Sequence, residues 1–222
     1  RRERLGAIVL RESSVRDPDD LVVARVVMDA VARGDGVALH WSDAARQLRQ
    51  RLAFLRLRDS NWPDVSDAAL SDSMHVWLLP RLIGLRRRSQ VEQLDLAGVL
   101  SGSLTWEQRR ALDDLAPTHV TVPTGSRIAV DYDDPSTPAL AVRLQELFGL
   151  AETPSIAGGA VTLTLRLLSP ARRPVQVTRD LAGFWRSSYF AVRKDLRGRY
   201  PKHEWPENPL AAAPTRRPKP RS

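Results

Sequence analysis

The sequence predicts an α+β protein, a helical N-terminal half followed by a small antiparallel β-barrel or curled sheet that a C-terminal helix closes. Three observations predict it. Between Asp17 and Leu115 apolar residues recur mostly at spacings of three and four, the period of helices with one buried stripe. At Pro117 the pattern changes to alternation of apolar and polar residues, the period of a half-buried strand. Leu181, Trp185, Ser188, Val192 and Leu196 then return to helical spacing. These shifts divide the chain into the end of a truncated upstream domain (1–36), a helical domain (37–116), a C-terminal α+β domain (117–206) and a disordered basic tail (207–222).

Taken in order, Arg4 to Glu12 hold the apolar run Ile8, Val9 and Leu10, one strand of the upstream domain. Asp17 and Pro18 suit a helix start, and the helix runs to Arg33 with Val22, Val26 and Val27 inward until Gly34 and Gly36 end it. That Gly-x-Gly pair is no phosphate loop, because no strand leads into it and no lysine followed by serine or threonine comes after it. Ser42 caps a helix to about Leu57 that buries Ala45, Leu48, Leu52 and Leu55 and turns Arg46, Arg49, Gln50 and Arg56 outward. Ser66 opens a third helix, with Leu70, Met74, Trp77 and Leu78 on its apolar side, which Pro80 limits. Further helices cover Val91 to Leu100 and Trp106 to Leu115, the latter with the capping-box pair Thr105 and Gln108. Next come a hairpin, 119–122 with 127–132, a helix over Pro138 to Leu150, and a second hairpin, 161–168 with 175–177. Leu181 to Leu196 form the closing helix, which Gly198 and Pro201 terminate.

Charge singles out the same end. The chain holds 34 basic and 26 acidic residues; 179–222 contain 11 and 4 of them, a net of +7, leaving 23 and 22 in the rest. A concentrated positive field is what a polyphosphate partner responds to. Arg186, Phe190, Arg193 and Arg197 follow at four, three and four residues, so three guanidinium groups and a ring share one solvent-facing stripe. Arg179, Lys194, Arg199 and Lys202 lie close by and complete the set of candidate nucleic-acid contacts. The same stripe also reads as an ordinary solvated face, and Phe190 either stacks on bases or packs under a loop. Tyr200, His203 and Trp205 sit in a proline-bounded hook that either pins the chain end or offers a stacking surface.

The run Arg179-Asp-Leu-Ala-Gly-Phe-Trp, then Ser-Tyr, then Val192-Arg-Lys-Asp-Leu-Arg-Gly-Arg-Tyr-Pro-Lys-His-Glu-Trp-Pro, resembles the C-terminal signature of HrpB-type bacterial ATP-dependent helicases of the DEAH-box class. Similar runs occur at Trp62-Pro-Asp-Val-Ser, Trp106-Glu-Gln-Arg-Arg, Leu115-Ala-Pro-Thr-His, Val122-Pro-Thr-Gly-Ser-Arg and Leu140-Ala-Val-Arg-Leu-Gln-Glu-Leu-Phe-Gly-Leu. The resemblance implies an RNA translocase or unwinding enzyme, a nucleotide-binding hydrolase driven by ATP with magnesium. It implies that this chain is the accessory end of that enzyme, with RNA, single-stranded and not sequence-specific, and the helicase motor domains in cis as partners.

The chemistry of the motor itself is absent from the sequence. No Gly-x-x-x-x-Gly-Lys-Ser/Thr loop occurs, so no catalytic residue is assigned and no ATP or magnesium is expected in this chain. His40, His75, His119 and His203 have no paired metal-ligand spacing, and there is no cysteine. Asp131, Asp133 and Asp134 read as a solvated strand end rather than a magnesium site, and Trp106 and Trp185 as core anchors. No apolar run is long enough to span a bilayer, no signal peptide opens the chain, and a cytoplasmic protein is expected. An opening arginine in place of methionine leads us to expect a piece of a longer protein or a trimmed one. Two functions stay open: an RNA-binding accessory region, or a protein-interaction module that docks on the motor domains or another protein.

Overall fold

In the computed structural model, which describes residues 2–12 and 18–216, the chain gathers into two units. One takes residues up to 46 with 65–103, the other 47–64 with those from 104 onward. The first opens with β1 (Arg2–Leu5) and β2 (Ile8–Glu12), an antiparallel pair. The single strand expected here is split by Gly6, whose φ of 60° suits the turn. α1 (Asp20–Arg33) is capped by Asp19, which accepts from the amides of Leu21 at 2.9 Å and Val22 at 3.0 Å; the expected cap, Asp17, lies outside the described residues. Its inward face is Ala24, Val27, Met28 and Val31, while Val22 and Val26 are 56% and 62% exposed. Both stripes have helical spacing, and the small Ala24 decides between them, because it packs with Leu78, Leu82 and Val91 in the core.

α2 (Asp43–Arg56) follows, then α3 (Asp67–Asp72), α4 (Met74–Trp77), α5 (Leu79–Leu82), α6 (Arg88–Glu92) and α7 (Leu96–Gly102). α2 keeps the expected length, and from α3 to α7 short helices replace the longer ones that periodicity predicts. The Ser73 hydroxyl donates back to Ala69 O at 2.5 Å and competes with the helical ladder there. Pro80 does not stop a helix; it occupies the first turn of α5, where a missing amide proton is tolerated. Asp95 starts α7 by accepting from Gly98 N at 3.0 Å.

In the second unit α8 (Trp106–Leu115) begins with the reciprocal box: Gln108 N donates to Thr105 Oγ1 at 3.2 Å, and Thr105 N to Gln108 Oε1 at 2.9 Å. Trp106 itself is 63% exposed under the Arg110 guanidinium, not in the core as expected. Arg51, on α2, is buried and donates to Ala116 O at 2.5 Å and Leu112 O at 3.2 Å, placing a cation at the carbonyl end of α8.

Next come β3 (His119–Thr121), β4 (Arg127–Asp131), β5 (Ala139–Arg143), β6 (Ser155–Ile156), β7 (Val161–Thr162), β8 (Thr164–Leu168) and β9 (Pro174–Thr178). The fold is α+β, but the expected barrel does not form. The main sheet is open, in the order β3-β4-β5-β8-β9, and mixed, since β5 and β8 run parallel. A parallel pair needs a long crossover, and residues 144–163 supply it, starting with a 3-10 turn at Leu144–Leu147 and including the β6–β7 pair. The helix expected over 138–150 is therefore a central strand followed by that turn. Leu140 and Leu144, four apart, satisfy either period, and pairing on both edges decides for the strand. Leu140, Leu144, Leu147, Leu163, Leu165 and Leu167 form the buried core, against which α9 (Leu181–Arg186) and α10 (Tyr189–Arg199) contribute Leu181, Trp185, Tyr189 and Leu196.

Candidate nucleic-acid interface

The single closing helix expected from 181 to 196 is two helices. Ser187 breaks it at φ −123° and ψ −78°, and its hydroxyl donates to Gly183 O at 2.7 Å. The break lets neighbouring aromatics enter one cluster. Tyr189 meets Trp185 at 5.2 Å and Phe184 at 6.2 Å between ring centroids, and Phe148 meets Trp185 at 6.1 Å. Trp185 Nε1 donates to Leu150 O at 2.8 Å and Tyr189 Oη to Pro206 O at 2.7 Å; burial pushes the Tyr189 phenol up to about 12.

The four-residue stripe is divided accordingly. Arg186 ends α9, whereas Phe190, Arg193 and Arg197 lie on α10. Arg193 is not free for a ligand: its Nε donates to Trp205 O at 2.8 Å and its Nη2 lies 3.3 Å from Glu207. Arg199 pairs with Asp195 at 3.1 Å. Phe190 is 51% exposed, Lys194 and Arg197 are exposed, and their spacing of four and three puts all three on one helical face. Arg179, Arg186 and Lys202 are also exposed and lie outside α10. The side chains of Arg186, Lys194 and Arg197 have no ion-pair partner among the described residues.

The hook pins the chain. Trp205 is buried and its Nε1 donates to Tyr200 O at 2.9 Å. Beside it, Arg193, Arg197, His203, Glu204 and Glu207 line a polar groove of about 600 Å³, where two carboxylates offset the arginines. Burial, and then the charge of Arg143, lower the affinity of His203 for a proton. The segment expected to be a disordered tail continues along this unit as far as it is described: Gly149 N donates to Pro209 O at 2.9 Å and Thr215 N to Gln145 O at 3.0 Å. Residues 217–222 lie outside the described residues.

A cationic groove on the sheet was missed in the sequence. Arg127, Arg143 and Arg172 come from separate strands or turns, and the β4–β5 and β5–β8 registers bring them together. Within it Glu146 is 2% exposed. Burial pushes its carboxyl up, but hydrogen bonds from Ser126 at 2.6 Å, Arg143 at 2.7 Å and Thr124 at 3.2 Å, with the Arg143 charge, hold it below the usual range.

Among the described residues no group of three or more His, Cys, Asp or Glu side chains could hold a metal ion. The three carboxylates of the Asp131–Asp134 stretch have separate partners: Asp131 pairs with Arg166 at 2.5 Å, Asp133 with Gln50 at 2.5 Å. Hydrogen bonds from the hydroxyls of Ser136 and Thr137 and the Ser136 amide hold Asp134 at about 2. No helix among the described residues is long and apolar enough to cross a membrane.

Comparison with known proteins places these features in a lineage. Residues 77–209 match the family described as ATP-dependent helicase C-terminal. The chain is 42% identical over 221 residues to the ATP-dependent RNA helicase HrpB of Escherichia coli K12, covering 99% of this chain and 27% of that protein. Its fold is similar to the crystal structure of the E. coli DExH-box NTPase HrpB, with a TM-score of 0.81 and 42% identity over 97% of this chain and 27% of that one. A second crystal structure, of the E. coli DEAH/RHA helicase HrpB, gives 0.71 and 40% identity over 92% and 26%. The chain thus spans about a quarter of the length of these relatives.

Proposed function

Because this chain belongs to the HrpB-type ATP-dependent helicase C-terminal family, we propose that it is the accessory region of an RNA helicase and holds RNA by its phosphates. ATP hydrolysis with magnesium belongs to motor segments outside this chain, and no residue here takes part in it. What carries the reading is the α10 face of Phe190, Lys194 and Arg197: two cations without ion-pair partners among the described residues, beside an exposed ring. The cations meet phosphate oxygens, which carry no sequence information, and the ring offers a stacking surface that only an unpaired base can reach. The substrate in this reading is single-stranded RNA, bound without regard to sequence. The compartment it requires is the cytoplasm.

A salt titration of labelled oligouridine binding to the 222-residue chain tests the reading. Lys194→Ala with Arg197→Ala removes two phosphate contacts and flattens the slope of log affinity against log salt by about 1.4, at roughly 0.7 per contact on a single strand. Phe190→Ala weakens binding by about 1–3 kcal/mol with the slope kept. An unchanged slope in the double variant overturns the assignment. The second reading, docking on the motor segments, is supported by the outward Val22 and Val26 of α1. Calorimetry against a motor fragment without RNA distinguishes it.

A further inference from the structure

The sheet carries a cationic groove that no part of the α10 reading uses. Its floor includes Ala129 on β4 and Ala141 on β5, both exposed and short. Around them stand Arg127 from β4, Arg143 from the end of β5 and Arg172 from the turn between β8 and β9, enclosing about 460 Å³. Among the described residues the one carboxylate lining this space, Glu146, is buried and already bound by Ser126 and Arg143. Arg127 and Arg172 are exposed, and neither side chain has an ion-pair or hydrogen-bond partner among the described residues. The groove therefore presents two uncompensated guanidinium groups.

The φ of 60° at Arg172 belongs to the tight turn between β8 and β9, where its amide donates to Ser169 O at 2.9 Å. A further observation points to an anion. The Arg216 guanidinium donates to Thr124 O at 2.6 Å and adds a cation at the neighbouring hairpin turn. Among the described residues no aromatic ring lines the groove, so a mononucleotide would find no stacking surface for its base there. What the groove offers is charge and N–H donors above a shallow floor, which suits successive phosphodiesters of an extended strand.

We infer that this groove is a second phosphate-binding surface, taking the backbone of an RNA strand through Arg127 and Arg172. The inference rests on the reading that the chain binds RNA, but on different residues. The test measures anisotropy of labelled oligouridine with the whole 222-residue chain at several salt concentrations. Arg127→Ala with Arg172→Ala should weaken binding and flatten the log–log salt slope by about 1.4, whereas Arg127→Lys with Arg172→Lys should keep the slope. Thermal melts accompany the titrations. If the double variant melts lower than the parent, Arg127→Ala alone, on an exposed strand position, decides by a slope change of about 0.7. An unchanged slope for the groove variants, with a flattened one for Lys194→Ala and Arg197→Ala, removes the groove and leaves the α10 reading standing. Absence of salt-dependent RNA binding by the parent chain removes both. Tighter binding of a labelled mononucleotide than of oligouridine, lost on changing Arg127 and Arg172, overturns the backbone assignment.

Discussion

Arg193 follows Phe190 by three residues and would share its outward face, yet its guanidinium turns back onto the hook. It donates to Trp205 O, beside a buried indole, and its side chain is only 20% exposed. Replacing it with methionine leaves that carbonyl without its donor, which should destabilise by about 1–3 kcal/mol in urea unfolding. Its contact with the 88% exposed Glu207 adds little. Lys194→Met, by contrast, should stay within about 0.5 kcal/mol. Two other residues link stability to pH. His203 releases its proton more readily in the folded chain than at its ordinary value of 6.5, because of burial and then Arg143. The unfolded chain thus binds more protons as pH falls through that value, and stability drops. Glu146 is held below its ordinary 4.5, so its stabilisation is present above that pH and is lost as pH falls towards the depressed value. Melting temperatures should decline from pH 7 downward in two stages, and His203→Gln should flatten the first stage and not the second.

At the scale of elements, what could be read in the sequence depended on whether a side chain closed the end. Thr105 and Gln108 define the start of α8 by local hydrogen bonds, and both the residues and their spacing are visible in the chain. Thr105→Ala should therefore cost about 1 kcal/mol, measured by denaturant unfolding, whereas Glu107→Ala, which also changes the first turn but leaves the box, should cost less. Where only apolar spacing was available, assignment failed for a physical reason. Leu140, Leu144 and Leu147 fit a helix, but hydrogen bonding to β4 and β8 on either side makes 139–143 a strand. Ser187 illustrates a second limit. Neither it nor Ser188 forbids a helix, and the break there exists because it brings Phe184, Trp185 and Tyr189 into one buried cluster. The candidate face shrinks with it: Arg186 is separated from Phe190 by the break, while Lys194, off the original stripe, joins it.

Across the whole molecule, the concentration of positive charge after residue 178 was legible because it needs only counting, and the α+β class because the two periods occupy different stretches. Sheet order was not. The parallel pairing of β5 with β8 joins segments more than twenty residues apart, and nothing local encodes it. The same blindness hid the sheet groove, whose arginines are brought together by the β4–β5 and β5–β8 pairings, and the course of residues 207–216. Proline, alanine and arginine make that segment resemble a tail, but its backbone finds partners: Pro209 is buried, Gly149 N and Thr215 N supply hydrogen bonds at 2.9 and 3.0 Å, and Arg216 reaches Thr124. Ending the chain after Pro206 tests how much that course contributes. A solvated tail would leave unfolding unchanged, whereas loss of two backbone bonds and one buried proline should lower stability by roughly 2–3 kcal/mol at about 1 kcal/mol per bond. The removed residues also carry Arg216, Arg217, Lys219 and Arg221 against Glu207, a net of +3. RNA affinity should therefore fall as well, and most at low salt, where long-range attraction is least screened. Measuring both quantities at high salt separates the two effects: a stability loss in urea that persists there comes from the broken packing and hydrogen bonds, and an RNA-affinity loss that disappears there comes from charge.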